Sequence, residues 1–246
     1  MTDQEILKKL EDDTHYYGEF GRQFLSNSGI QHLNGNPLMF GVPLEPAPNL
    51  IKGGLFHQLI LEPEKAELVP IVDCSTRNTK IYKDYVIKHK LDIAMLRSES
   101  DEMHSAKNAM LSNLDFYDEI RADGNQYEVP AIGNIHGLVW KGKADIICAD
   151  KIIDLKTTSD ISKFKWSARN YNYDSQCYIY QELFGKPLVF YVVEKVSNIL
   201  GIFEPTPSFI DRGEEKVVQA VANWHKFFGP NPTADIDSYY IEEELF

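Results

Sequence analysis

The stretch Lys143-Ala-Asp-Ile-Ile-Cys-Ala-Asp-Lys-Ile-Ile-Asp-Leu-Lys-Thr-Thr158 reads as a β-hairpin. Two apolar runs, Ile146-Ile147-Cys148 and Ile152-Ile153, flank a short turn at Ala149-Asp150-Lys151. Alternation puts Asp154 and Lys156 on one face of the second strand with Leu155 opposite, and the hairpin returns Asp145 to the same side. Carboxylates facing each other across adjacent strands repel unless a cation stands between them. A divalent metal with oxygen ligands satisfies that need, and a lysine beside it points to chemistry on a phosphate. A solvated hairpin face is the plain reading of an isolated Asp-x-Lys. The apolar residues around this one argue against it.

Downstream, residues 173–184 have helical patterning, and Gln176 and Tyr180 stand at i and i+4 on one face. In isolation they are a core-edge pair; after an Asp-x-Lys strand they could orient the lysine or grip a phosphate. Lys163, Lys165 and Arg169 alternate with Phe164, Trp166, Tyr171 and Tyr173. That pattern suits a solvated helix face with buried aromatics, or a DNA backbone with unstacked bases. Strands are expected at about 188–195 and 199–204, then a helix over 211–227 begun by Asp211 and closed by Gly229-Pro230. The segment from Thr233 reads as an extended surface tail.

Upstream, strands are expected at about 127–132, 136–147 and 151–157, preceded by helices at 79–90 and 101–113. Gly53 to Leu61 is apolar and helical, stopped near Pro63, and carries His57. A lone histidine there is ordinarily a satisfied core residue, but packed over the sheet its imidazole completes a metal site. Residues 25–33 read as a helix capped by Ser26 or Ser28, and 4–12 as a short polar helix. Helices, three strands, a helix and further strands describe one α/β domain with a mostly exposed N-terminal addition.

The 246 residues carry a net charge of −12, which alone argues against a nucleic-acid binder. The distribution counts for more. Acidic residues crowd the ends, while Lys141, Lys143, Lys151, Lys156, Lys163, Lys165 and Arg169 crowd the middle, so a local basic patch can still hold a polyanion. Cys74, Cys148 and Cys177 form no CxxC pair, which fits a reducing cytoplasm and excludes a disulfide framework. There is no signal-peptide pattern after Met1 and no membrane-length apolar run. No P-loop, Rossmann glycine fingerprint or GxSxG occurs, and His104, His136 and His225 lack ligand-like spacing.

Asp145, Asp154-Leu-Lys156 and Gln176-x-x-x-Tyr180 together resemble the PD-(D/E)xK nuclease superfamily in its RecB-like branch. Leu25-Ser-Asn-Ser-Gly-Ile, Gly54 to Pro63, Arg77-Asn-Thr-Lys80 and Asp154 to Asp160 extend the resemblance to the nuclease domain of RecE (exonuclease VIII) and related phage exonucleases, from about Tyr16 to Trp224. It implies a restriction-endonuclease-like α/β core, a central mixed β-sheet flanked by helices. Residues 1–246 would form one domain: a helical addition over about 1–45, the nuclease core over about 50–227 and an acidic tail over 230–246.

It also implies a Mg²⁺-dependent exonuclease, with Mn²⁺ able to substitute, that degrades linear duplex DNA 5′→3′ for phage-type recombination. His57, Asp145, Asp154 and the Leu155 carbonyl would ligate metal. Lys156 would be the catalytic lysine, with Asp154, Asp145, Gln176 and Tyr180 completing the catalytic set. Lys143, Lys163, Lys165, Arg169 and Ser28 would contact DNA. Glu128 stays open between a structural residue and the family's first acidic position. The implied partners are DNA ends, a RecT-like single-strand annealing protein and further copies of the chain in a ring, in the cytoplasm of a bacterial host. The rival readings are a structure- or site-specific endonuclease of the same superfamily and a non-catalytic DNA-binding or interaction module.

Overall fold

The computed structural model describes residues 1–43 and 45–242. In chain order the elements are α1 (Asp3–Leu10), α2 (Asp13–Tyr17), α3 (Asn27–Gly35), α4 (Pro48–Leu61), α5 (Pro63–Ala66), β1 (Ile71–Val72), α6 (Lys80–His89), β2 (Met95–Leu96), α7 (Arg97–Ser112) and α8 (Leu114–Ile120). They continue with β3 (Gln126–Ile135), β4 (Leu138–Ile147), β5 (Ile152–Thr158), α9 (Phe164–Asn170), α10 (Tyr173–Phe184), β6 (Leu188–Glu194), β7 (Leu200–Phe203) and α11 (Pro207–Phe227). The main sheet has the order β3-β4-β5-β6-β7 and is antiparallel except for β5–β6, which run parallel. A parallel pair needs a long crossover, and α9 and α10 supply it.

Alternation along β5 and β6 builds two cores. Ile152, Leu188, Phe190 and Val192 pack with α3, α10 and α11, while Ile153, Leu155, Val189, Tyr191 and Val193 pack with α4, α7 and α8. Burial on both faces explains why these strands read as continuous apolar runs. Asp154 and Lys156 are the interruption. They project toward the α10 side, where apolar residues would otherwise be expected.

Several boundaries differ from the sequence expectation for local reasons. The expected strand over 136–147 begins at Leu138, because His136 (φ 50°) and Gly137 (φ 84°) form the left-handed two-residue turn between β3 and β4. The last helix begins at Pro207 rather than Asp211. Thr206 caps it by accepting a hydrogen bond from the Phe209 amide at 3.3 Å, and Pro207 loses nothing in a first turn. α4 likewise starts at Pro48, ahead of the expected Gly53. Ser26 occupies the N-cap position of α3 without making a cap bond; its hydroxyl lies 2.9 Å from that of Ser28. The small parallel sheet of β1 and β2 was not expected.

The N-terminal residues are no exposed addition. Leu10, Tyr16, Leu25, Ile30 and Leu33 are buried, and the Leu25 amide and carbonyl bond Val139 and Lys141 beside β4. In the tail, Ile236–Ser238 form a single 3₁₀ turn and the Tyr239 hydroxyl donates to the Gly35 carbonyl at 3.1 Å. Glu243 and Glu244 of the acidic tail lie outside the described residues. Among the described residues no helix is long and apolar enough to cross a membrane.

Candidate active site

The hairpin folds as its sequence reads, and its departure from regularity makes the site. The Cys148 amide donates to the Lys151 carbonyl at 2.9 Å to close the turn. The β4–β5 ladder then runs only through Ile147↔Ile152 and Ile146↔Ile153. At the next position the Asp145 carboxylate enters between the strands and accepts a hydrogen bond from the Leu155 amide at 2.8 Å. On the other side of β4, the residue opposite Asp145 is Glu128, held at φ 52°. A left-handed glutamate inside a strand is strained and is tolerated where function demands it. Here it turns the Glu128 carboxylate toward Asp145 and His57.

His57 reaches the hairpin from α4. Its Nε2 lies 2.8 Å from the Leu155 carbonyl oxygen and its Nδ1 3.3 Å from Asp145 Oδ2. Ligand atoms of His57, Glu128 and Asp145 all fall within 4.8 Å of one another. Asp154 stands beside them, with Gln176 Nε2 donating to its Oδ1 at 2.6 Å. Its Oδ2 is buried, and its one partner among the described residues is the Lys156 ammonium, 2.6 Å away. Two carboxylates and an imidazole whose ligand atoms converge this closely, with a third carboxylate beside them, fit a divalent cation. His57, Glu128, Asp145, Asp154 and the Leu155 carbonyl are the residues positioned to hold one.

The electrostatics have one theme: carboxylates too close together. Burial, then the Asp145 charge, pushes Glu128 up to about 7. Burial also lifts Asp154, with Asp145 adding to it against the pull of Lys156. For Asp145 burial acts upward, but His57, Lys156 and the Leu155 amide outweigh it and hold the carboxyl below its ordinary value. Burial would depress His57, yet the Asp145 charge overcomes it and raises the imidazole to about 9. Burial acts downward on Lys156 too, and Asp154 above all reverses it, so the amine stays protonated. The Lys156 ammonium also lies over the Tyr173 ring, 4.9 Å from its centroid.

The remaining expected site residues divide. Tyr180 is buried and donates to the Lys143 carbonyl at 2.9 Å, so its hydroxyl holds β4 in place and is not turned toward Lys156 or a phosphate. Lys143 is nearly buried and reaches the cleft, with Asp13 2.5 Å away and Glu128 3.8 Å away. Ser28 also lines the cleft. Lys163, Lys165 and Arg169 do not: Lys163 is exposed and paired with Asp160 at 2.9 Å, and the other two flank Trp166 on the outer face of α9. Arg77 is committed to Glu99 through two hydrogen bonds of 2.9 and 2.6 Å, which also fix the start of α7.

Sequence reasoning missed the N-terminal wall. Asp13 bridges Lys143 and Lys65, the latter at 2.7 Å, and Tyr16 and Tyr17 line the cleft beside Lys141. The alternation of Lys141 and Lys143 along β4 was the available signal. The whole cleft encloses about 500 Å³.

A mixed sheet flanked by helices, with Asp145, Asp154 and Lys156 gathered where β4 and β5 part, defines a PD-(D/E)xK-type domain. A model of this kind of domain, a PDDEXK-like domain of unknown function, matches residues 30–226, and the chain belongs to that family. No curated protein matches. The crystal structure of a "Putative exonuclease" from Eubacterium rectale superposes with a TM-score of 0.64 at 16% identity, covering 96% of each chain, and shows the same fold. A second solved structure, SSO0001, is 15% identical over 70% of this chain and 86% of its own, at a TM-score of 0.32. Family and fold support a nuclease.

Proposed function

We propose that this chain hydrolyses phosphodiester bonds at the ends of linear duplex DNA, 5′→3′, with Mg²⁺ or Mn²⁺ bound. The observation that carries this reading is the convergence of Asp145, Asp154, Lys156 and Gln176 in one open cleft also lined by Lys141 and Lys143. The cation would rest on Asp145, Asp154 and the Leu155 carbonyl, with His57 and Glu128 beside them. When bound, it neutralises charge at the phosphate and lowers the pKa of the attacking water. Lys156, held protonated by Asp154, stabilises the charge that develops on the phosphoryl oxygens. Gln176 fixes the Asp154 carboxylate. Lys141 and Lys143 attract the strand, and Asp13 must yield its hold on Lys143 when a phosphate arrives.

End-labelled linear duplex with and without Mg²⁺ tests the reading. Stepwise shortening from the 5′ end only with metal supports it, and cleavage of a closed circle would favour an endonuclease instead. A ring of subunits, whose size light scattering gives, would concentrate the basic walls around one channel despite the net charge of −12. A single-strand annealing protein is the matching partner.

Two predictions follow from the cleft. Because the buried carboxylates repel one another without a cation, Mn²⁺ at about 100 times its Kd should stabilise the fold by about 2.7 kcal/mol. For a chain of this size that raises Tm by about 5–10 °C, and EDTA should reverse it in thermal melts. A melting curve indifferent to Mn²⁺ and Mg²⁺ would remove the metal from the reading.

The second concerns Gly53 and Gly54, which line the cleft inside α4 and have nothing within 4 Å of where a Cβ would stand. Glycine inside a helix costs about 0.5–1 kcal/mol relative to alanine, so the open space calls for another reason, the approach of a DNA backbone. Gly54→Ala should therefore raise Tm by about 1–4 °C while raising KM for duplex several-fold. A more stable variant with unchanged KM would show that this wall does not touch substrate.

A further inference from the structure

Beside the catalytic cleft, on the same side of the sheet, lies a second cavity of about 150 Å³. Its walls are Phe164, Phe190, Phe203 and Phe209, from α9, β6, β7 and α11. The rings of Phe164 and Phe203 lie 4.5 Å apart, and Phe164 meets Phe190 edge-on at 6.0 Å. Phe190 is shared ground: Tyr173 stacks on it at 5.2 Å, and the Lys156 ammonium lies 6.0 Å from its centroid. One aromatic wall thus separates the cavity from the catalytic lysine.

The rim is polar and charged. Lys165 and Arg169 stand at the mouth, and among the described residues neither has a carboxylate within salt-bridge distance; both rest against Trp166, which is 54% exposed. Glu204 closes the opposite side. An apolar recess of about 150 Å³ admits one six-membered ring. Aromatic walls bind any base by stacking, and cations at the mouth suit the phosphates on either side of it. A carboxylate at the rim accepts from the exocyclic amine of cytosine and is repelled by the carbonyl oxygen of thymine.

We propose that this cavity is a slot for one unpaired pyrimidine base, cytosine above thymine, of a single strand leaving the catalytic cleft. Lys165 and Arg169 hold its flanking phosphates, and Trp166 offers a surface for the neighbouring base. The proposal rests on the nuclease reading and extends it: digestion from the 5′ end leaves a 3′ single strand, and only Phe190 stands between the slot and Lys156. Lys165 and Arg169, which the catalytic cleft does not use, acquire a role.

The test is binding to duplexes that are blunt or carry a four-nucleotide 3′ extension of dC, dT or dA, measured by fluorescence anisotropy in Ca²⁺ in place of Mg²⁺. The dC extension should tighten binding about tenfold over blunt duplex, with dT weaker and dA weakest. Phe209→Ala should remove the advantage of every extension. Glu204→Gln, an exposed change that leaves the fold intact, should remove only the preference for dC over dT. Both variants should keep blunt-duplex affinity. A wild-type protein that gains nothing from an extension overturns the slot, as does a Glu204→Gln variant with an unchanged base preference or a Phe209→Ala variant, folded by thermal melt, that keeps the extension advantage. Parallel cleavage assays in Mg²⁺ separate the two readings. Extension-dependent binding without cleavage counts against the nuclease alone, and cleavage without extension-dependent binding counts against the slot alone.

Discussion

Lys156→Ala should lower the rate of phosphodiester cleavage by about 10³ while leaving metal binding intact or tighter. The two effects part because Lys156 faces two ways. Its ammonium lies 2.6 Å from Asp154 Oδ2 and competes with any cation for that oxygen, so its removal leaves the carboxylates more attractive to Mg²⁺ or Mn²⁺. The same ammonium is the group in the cleft placed to meet charge developing on a phosphoryl oxygen, and one such preorganised donor is worth about 10²–10³ in kcat. Calorimetric titration of the metal-free variant and single-turnover cleavage of a labelled duplex measure the two separately. Asp154→Asn should behave differently, losing both metal affinity and cleavage, because it removes the negative charge and leaves a single neutral amide oxygen to serve both a cation and Gln176. A Lys156→Ala enzyme that cleaves at the wild-type rate would remove the lysine from the chemistry and, with it, the main support for the nuclease reading.

What the sequence made legible was local. The hairpin, its short turn and the Asp-x-Lys strand could be read because register and alternation over sixteen residues need no distant information, and α10 falls at Tyr173–Phe184 as expected because Gly185, left-handed at φ 66°, ends it. The nonlocal parts were not legible on physical grounds. His57 meets Leu155 across 98 residues and Asp13 meets Lys143 across 130, and no periodicity encodes such pairings. The acidic, polar N-terminus looked solvent-facing because its two short helices bury one residue each, Leu10 and Tyr16. Glu128 was visible as a strand residue, but the left-handed φ that turns its carboxylate into the site belongs to the folded sheet alone. The basic run at Lys163, Lys165 and Arg169 was legible as a run, but its position was not: helical phase sends these side chains away from the catalytic cleft, Lys165 and Arg169 toward the Phe-lined cavity and Lys163 toward solvent.

Gly213→Ala should destabilise the fold by about 3 kcal/mol, a Tm drop of about 6–12 °C for a chain of this size. A Cβ on Gly213 would stand 2.1 Å from the Asp174 carbonyl oxygen, 2.4 Å from its carbon and 2.9 Å from the Ser175 nitrogen. All three are backbone atoms of α10, so no side-chain rotation relieves the overlap, and α11 must move as a body. It is poorly free to do so. Asp174 is fully buried and ties α10 to α11 on either side of Gly213, through Arg212 Nε at 2.7 Å and Lys216 Nζ at 2.9 Å. Separating the helices therefore also stretches a buried carboxylate from its two cations, whose loss is itself costly. The displacement reaches the site because Gln176, two residues beyond Asp174, holds Asp154 Oδ1 at 2.6 Å. Cleavage should fall more than the folded fraction accounts for, with kcat reduced and KM for duplex nearly unchanged. A variant that melts within about 2 °C of wild type would mean that α10 and α11 can part without cost, and the positioning of Gln176 would then have to come from the β4 side, through Tyr180 and the Lys143 carbonyl.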